Sequence, residues 1–74
     1  MKELDVIPIE ARFKHQRIME TFDALKVGEA FILKNDHDPI PLKYQFEAEK
    51  NGKFSWKYIE KGPEIWKVKI GKTA

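Results

Sequence analysis

The densest cluster of side chains that could do chemistry in this sequence is one run, Asn35-Asp36-His37-Asp38-Pro39-Ile40-Pro41-Leu42. Two carboxylates flank an imidazole, an amide precedes them and two prolines follow. Such a set could pass a proton, ligate a metal or grip a small polar molecule. The prolines fix φ, so the chain has to leave a strand, show His37 on a connection and then enter a helix. A second imidazole, His15, lies upstream in a helical pattern, and Tyr44 and Gln45 follow shortly after the run. The candidate ligand-binding set is therefore His15, Asn35, Asp36, His37, Asp38, Tyr44 and Gln45, with His15 and His37 as candidate metal ligands.

Other chemistry is excluded or poorly supported. With no cysteine there is no disulfide, no thiolate-bound zinc, no iron–sulfur cluster and no thiol nucleophile. Asp36 and Asp38 as a general acid/base pair lack a companion nucleophile, an oxyanion donor set or a metal-ligand trio, so no enzyme is expected. Two histidines and two carboxylates within reach of each other would suit a transition metal such as zinc, iron or nickel, and haem is the other cofactor a histidine here could serve. The competing reading is a plain loop, with Asp38 capping the second helix, Asn35 in a left-handed turn and His37 tied to backbone.

Length and composition bound the rest. Seventy-four residues, 42% hydrophobic and 35% charged, predict one globular domain over residues 1–74 with a small core. The opening Met1-Lys2-Glu3-Leu4-Asp5 is no signal peptide and no stretch approaches a membrane span, so a cytoplasmic location is expected. A net charge of +2 exerts weak pull on nucleic acid, making that partner unlikely on electrostatic grounds.

The elements that must position the run can be read from periodicity. Leu4-Asp5-Val6-Ile7 predicts a first strand ended by Pro8. Ala11, His15, Ile18, Phe22 and Leu25 recur at three and four, with Met19 widening the stripe and Arg12, Lys14, Arg17 and Glu20 off it; this predicts an amphipathic helix closed at Lys26-Val27-Gly28. Glu29 to Lys34 reads as a covered strand, and a second helix is expected from Pro41 to about Lys50, because the residue before proline, Ile40, is pushed towards extended geometry. Phe54, Trp56 and Tyr58, then Trp66, Val68 and Ile70, alternate with polar residues across a Gly62-Pro63 turn and predict an antiparallel hairpin.

The order β-α-β-α-β-β with right-handed crossovers predicts an α/β (α+β) two-layer sandwich, a four-stranded mixed sheet with both helices on one face. Parallel first strands bring both helix starts to the carboxyl edge of the sheet, where His15 and His37 then meet. Trp56 and Trp66 are expected to be buried under the helices. Ser55, Lys57, Ile59, Ile65, Lys67 and Lys69 are left on an open outer face, suited to a protein partner or to self-association more than to phosphate tracking.

Residues spread over nearly the whole chain carry a family resemblance: Leu4-Asp5-Val6, His15, Ile18, Phe22-Asp23-Ala24-Leu25, Gly28-Glu29, Asn35-Asp36-His37-Asp38-Pro39, Pro41-Leu42, Tyr44-Gln45, Glu47, Gly52, Phe54, Trp56, Gly62-Pro63-Glu64, Trp66 and Val68. The sequence resembles a small bacterial and archaeal domain of unknown function that is related in fold to the sulfur carrier TusA and to SirA-like proteins and occurs alone or beside hemerythrin-like and cupin modules. The resemblance implies a TusA-like sandwich and a setting in redox or sulfur-related physiology. TusA relatives act through Cys-Pro-x-Pro at the start of the first helix; here Pro8-Ile9-Glu10-Ala11-Arg12 stands there, so persulfide carriage is not implied. Where the family has Arg-His, this chain has Lys14-His15.

Overall fold

A computed structural model describes residues 2–74 of the chain; Met1 lies outside the described residues. The elements are β1 (Lys2–Asp5), α1 (Ala11–Asp23), β2 (Ala30–Asn35), α2 (Ile40–Glu49), β3 (Phe54–Lys61) and β4 (Trp66–Lys72). The sheet order is β1-β2-β4-β3, with β1 and β2 parallel and the other pairs antiparallel. This is the expected β-α-β-α-β-β arrangement, a mixed sheet under two helices. No described helix is long and apolar enough to cross a membrane.

Element ends differ from the periodicity reading for local reasons. β1 stops at Asp5 because that carboxylate accepts the Ile7 amide at 3.0 Å, turning the chain ahead of Pro8. Val6 still sits in the core, and its amide donates to the Lys34 carbonyl. α1 stops at Asp23, two residues short of Leu25, whose amide takes the tighter bond to the Phe22 carbonyl. Lys72 Nζ then donates to the carbonyls of Asp23 and Leu25 at 3.2 and 3.0 Å, satisfying acceptors the helix leaves open. Gly28 takes φ +93 but does not close the helix as expected, since the C-cap is Ala24; its amide donates to the Lys72 carbonyl at 2.8 Å instead.

α2 begins at Ile40, which is helical and not extended as expected. The Pro39 carbonyl accepts the amides of both Leu42 and Lys43, so the first turn is already set, and the N–H that Pro41 lacks is one the helix leaves unpaired anyway.

The core comprises Leu4, Val6, Ile18, Met19, Phe22, Phe31, Leu33, Phe46, Val68 and Ile70. Phe46 is the one buried residue of α2. Its ring lies 5.2 Å from Phe22 on α1, 5.3 Å from Phe54 and 6.1 Å from Trp56 on β3. Edge-on contacts of 6.3 Å continue the row from Trp56 to Tyr58 and from Tyr58 to Trp66. The hairpin aromatics therefore face the helices, since Trp56 pairs with Ile70 and Tyr58 with Val68. They are half-buried, however, and the expected full burial of Trp56 and Trp66 does not occur. β3 is an edge strand, and a ten-residue helix with one inward anchor covers only the middle of its aromatic row. Beyond Tyr58 the register shifts, leaving Ile59 as the extra residue of a bulge.

Replacing Phe46 by alanine should cost about 3–5 kcal/mol, a large share of the stability of a small domain. Urea unfolding followed by tryptophan fluorescence measures this, and a loss below about 1 kcal/mol would show that α2 is held by something other than this ring.

Candidate functional site

Strand alternation puts Phe31, Leu33 and Asn35 on the core side of β2. At the last of these positions the sheet ends, so an amide occupies an inward place at the rim of the core. Asn35 is only 6% exposed. Its Oδ1 accepts the Asp36 amide at 2.9 Å, while its Nδ2 has no hydrogen-bond partner among the described residues. That nitrogen is not sealed in, because the one fully enclosed atom without a partner is Trp56 Nε1. Asn35 lines a groove of about 220 Å³ between the starts of α1 and α2.

The groove is where parallel β1 and β2 bring both helix starts. Lys14 and His15 come from α1, Asn35, His37 and Pro39 from the end of β2 and the connection, and Gln45 from α2. Ala11, Ile18, Pro41 and Leu42 supply apolar lining. His15 bridges the helices: Nδ1 lies 2.7 Å from Gln45 Oε1 and Nε2 lies 3.1 Å from Glu49 Oε2. At the far end of the same helix pair, Lys50 Nζ reaches Asp23 Oδ1 at 2.8 Å. Neither helix has a side-chain cap or an acidic residue in its first turn. Glu10, the residue ahead of α1, pairs with Arg12 instead. The positive ends of both helix dipoles are thus left without a neutralising carboxylate of their own.

The predicted residues divide. His15, Asn35, His37 and Gln45 line the groove. Asp36 sits beside it, with its Oδ1 2.7 Å from His37 Nδ1. That bond, aided by the charges of His37 and Lys14 and opposed by partial desolvation, holds the Asp36 carboxyl below the usual aspartate range. Asp38 turns the other way and accepts the Tyr58 hydroxyl at 2.7 Å, tethering the connection to β3. Burial, and then the hydrogen bond to Asp38, push the Tyr58 hydroxyl pKa up. Asp38 does not cap α2, whose N-cap is Pro39, and Asn35 is in a strand and not a left-handed turn. Tyr44 is 63% exposed and does not line the groove.

The reading of periodicity missed Lys14. It lies off the apolar stripe, yet Ala11, Lys14, His15 and Ile18 share one helix face at spacings of three and four. The Tyr58 to Asp38 bond had no sequence signal, because it joins residues that only the hairpin's docking brings together.

The donor set can be tested against a metal. Among the described residues no three His, Asp or Glu side chains are grouped so as to hold an ion. Both His15 nitrogens face oxygens, and His37 Nδ1 is taken by Asp36. A two-histidine site would require His15 to release α2. What the groove presents as it stands is an ammonium, an unpartnered amide NH₂ and the uncapped start of α1, a set that favours an acceptor-bearing or anionic guest. No hydroxyl or thiol lines it. A roomier cleft of about 560 Å³ at the far end of α1, by Lys2, Thr21, Leu25 and Gly28, shows no such convergence; the Thr21 hydroxyl there donates to the Arg17 carbonyl.

The Asp36–His37 pair makes a pH prediction. A carboxyl whose folded pKa is lowered contributes stability above its unfolded pKa and loses it as pH falls through the lowered folded value. The contribution of the Asp36 carboxylate should therefore be present above the ordinary aspartate range and be lost as the pH falls through its lowered folded value. Acid unfolding of His37→Ala should lack this component; matching acid limbs for the two proteins would show that the pair contributes nothing.

Neither the curated proteins nor the solved structures provide a significant match to the chain. One family does match, over residues 3–72, described as an uncharacterized conserved protein, DUF2249. That span takes in every strand and helix except the first residue of β1, together with the whole groove, and the chain belongs to this family.

Proposed function

We propose that the chain is a non-catalytic binding module whose groove between α1 and α2 holds a small ligand through a carboxylate or comparable oxyanion. The observation that carries this reading is the Asn35 amide: buried to 6% exposure, with a donor that no described residue satisfies. That donor is not sealed from solvent, so a ligand acceptor would take the place of water there and contribute about 0.5–1.5 kcal/mol net. Lys14 adds charge, and the uncapped start of α1 adds a dipole of the same sign, whereas Pro39 and Pro41 blunt that of α2.

Size sets the class of guest. At about 220 Å³ the groove is smaller than the ~300–1,000 Å³ pockets that enclose drug-sized molecules, so a guest of few atoms fits best. A small, half-open site of this kind supports dissociation constants of roughly 10 μM to 1 mM. Lacking cysteine, the chain has no thiol to carry sulfur. If it shares the sulfur-carrier fold and its redox or sulfur setting, it does so through reversible binding.

Calorimetric titration with acetate, succinate and inorganic phosphate tests the reading. Asn35→Asp keeps the oxygen that accepts the Asp36 amide and replaces the free donor by a second oxygen. This variant should remain folded and bind the best of these anions at least about tenfold more weakly, the equivalent of ~1.4 kcal/mol. Equal affinity in wild type and variant, or no binding of any of the three, would reject the site.

A further inference from the structure

The sheet has a second face that neither helix covers, and the strand registers arrange it in rows. One row across β1, β2, β4 and β3 is Asp5, Lys34, Lys67 and Glu60; the next is Glu3, Ile32, Lys69 and Lys57. Two pairs of lysines thus stand directly opposite each other, Lys34 with Lys67 and Lys57 with Lys69. Like charges in that position weaken a sheet. Lys34 and Lys67 have partial relief, from Asp5 at 3.9 Å and Glu3 at 3.7 Å. Lys57 and Lys69 have no carboxylate within 4.0 Å among the described residues. Beside them the bulge turns out Ile59, 53% exposed.

We infer that this face is a docking surface for an acidic protein surface with an apolar centre. Charge complementarity selects that occupant. The four lysines and two isoleucines run from β2 across β4 to β3, while the carboxylates of Glu3 and Asp5 lie on β1 and that of Glu60 towards one end of β3. A nucleic-acid strand crossing the sheet would run its phosphates over those edge carboxylates. It would also find no ring to stack on, since Phe54, Trp56, Tyr58 and Trp66 all point to the helix side. A second copy stacked face to face about a two-fold axis would press the lysine block onto itself.

Area sets the strength. Four strands at ~4.8 Å spacing and about six residues at ~3.3 Å give roughly 400 Å² per partner. A total near 800 Å² belongs to weak, transient complexes whose rate and affinity fall with salt.

The test is chemical-shift titration of the labelled full chain with a short synthetic peptide of alternating glutamate and leucine, with oligothymidylate in a parallel arm, and with sedimentation of the protein alone. The inference expects peptide-induced shifts at Ile32, Lys57, Ile59 and Lys69, and at least a tenfold loss of affinity in Lys69→Glu. The same substitution puts a carboxylate opposite Lys57, so it should raise the melting temperature while weakening binding, a pairing of effects that damage to the fold would not produce. Tighter binding of oligothymidylate than of peptide overturns the inference, as do a dimer formed through these residues, unchanged affinity in Lys69→Glu, or peptide shifts confined to the α1/α2 groove.

Discussion

One ring holds the two layers of this protein in register. Phe46 is the single inward anchor of α2, meeting Phe22 of α1 and Phe54 and Trp56 of β3. A small domain has few alternatives, since most of its surface stays in water and its margin of stability is a few kcal/mol. The polar contacts between the helices, His15 to Gln45 and Glu49 and Lys50 to Asp23, lie at exposed or half-exposed positions. Pairs of that kind contribute little energy and chiefly select an orientation. The burial of Phe46 fixes where α2 lies, and those contacts fix how it is turned towards α1. The width of the groove follows from both.

The groove's chemistry follows from where β2 runs out. Inward positions of a covered strand are normally apolar, and Phe31 and Leu33 obey that rule. Asn35 breaks it at the one inward position with no further sheet beyond it. The connection that follows is then pinned from two sides, by the Asp36 amide to Asn35 and by the Tyr58 hydroxyl to Asp38. Asp38 is thereby drawn away from the groove, and Asp36 is occupied by His37. Of the run's two carboxylates one is thus drawn off to β3 and the other is paired with His37, which leaves Lys14 and the Asn35 amide to favour an anion over a cation as guest.

Much of this was legible in the residues. Period-two and period-three-to-four patterns located all six elements, and the parallel crossover rule brought His15 and His37 to one edge without any distance in hand. What escaped was tertiary. The capping role expected of Asp38 was a sound local preference, overridden by a hydroxyl from the other end of the chain. Asn35 looked like a turn residue because its type favours turns, and only its parity with Phe31 and Leu33 marks it as inward. The two tryptophans had the right facing and the wrong depth, because periodicity reports which side a residue takes and not how much of that side a short helix covers. The bulge at Ile59 lacked the glycine that often marks one.

The central claim is that the unpartnered Asn35 amide is the recognition donor. It is tested most directly by following the side-chain NH₂ resonances of Asn35 in nitrogen-edited NMR spectra while a small carboxylate is added. The account predicts that these two proton signals move downfield and saturate together with the backbone signals of Lys14, His15 and His37. Saturable binding that leaves the Asn35 side chain unmoved, with shifts gathered instead at Lys2, Thr21 and Gly28 around the cleft at the far end of α1, would contradict it.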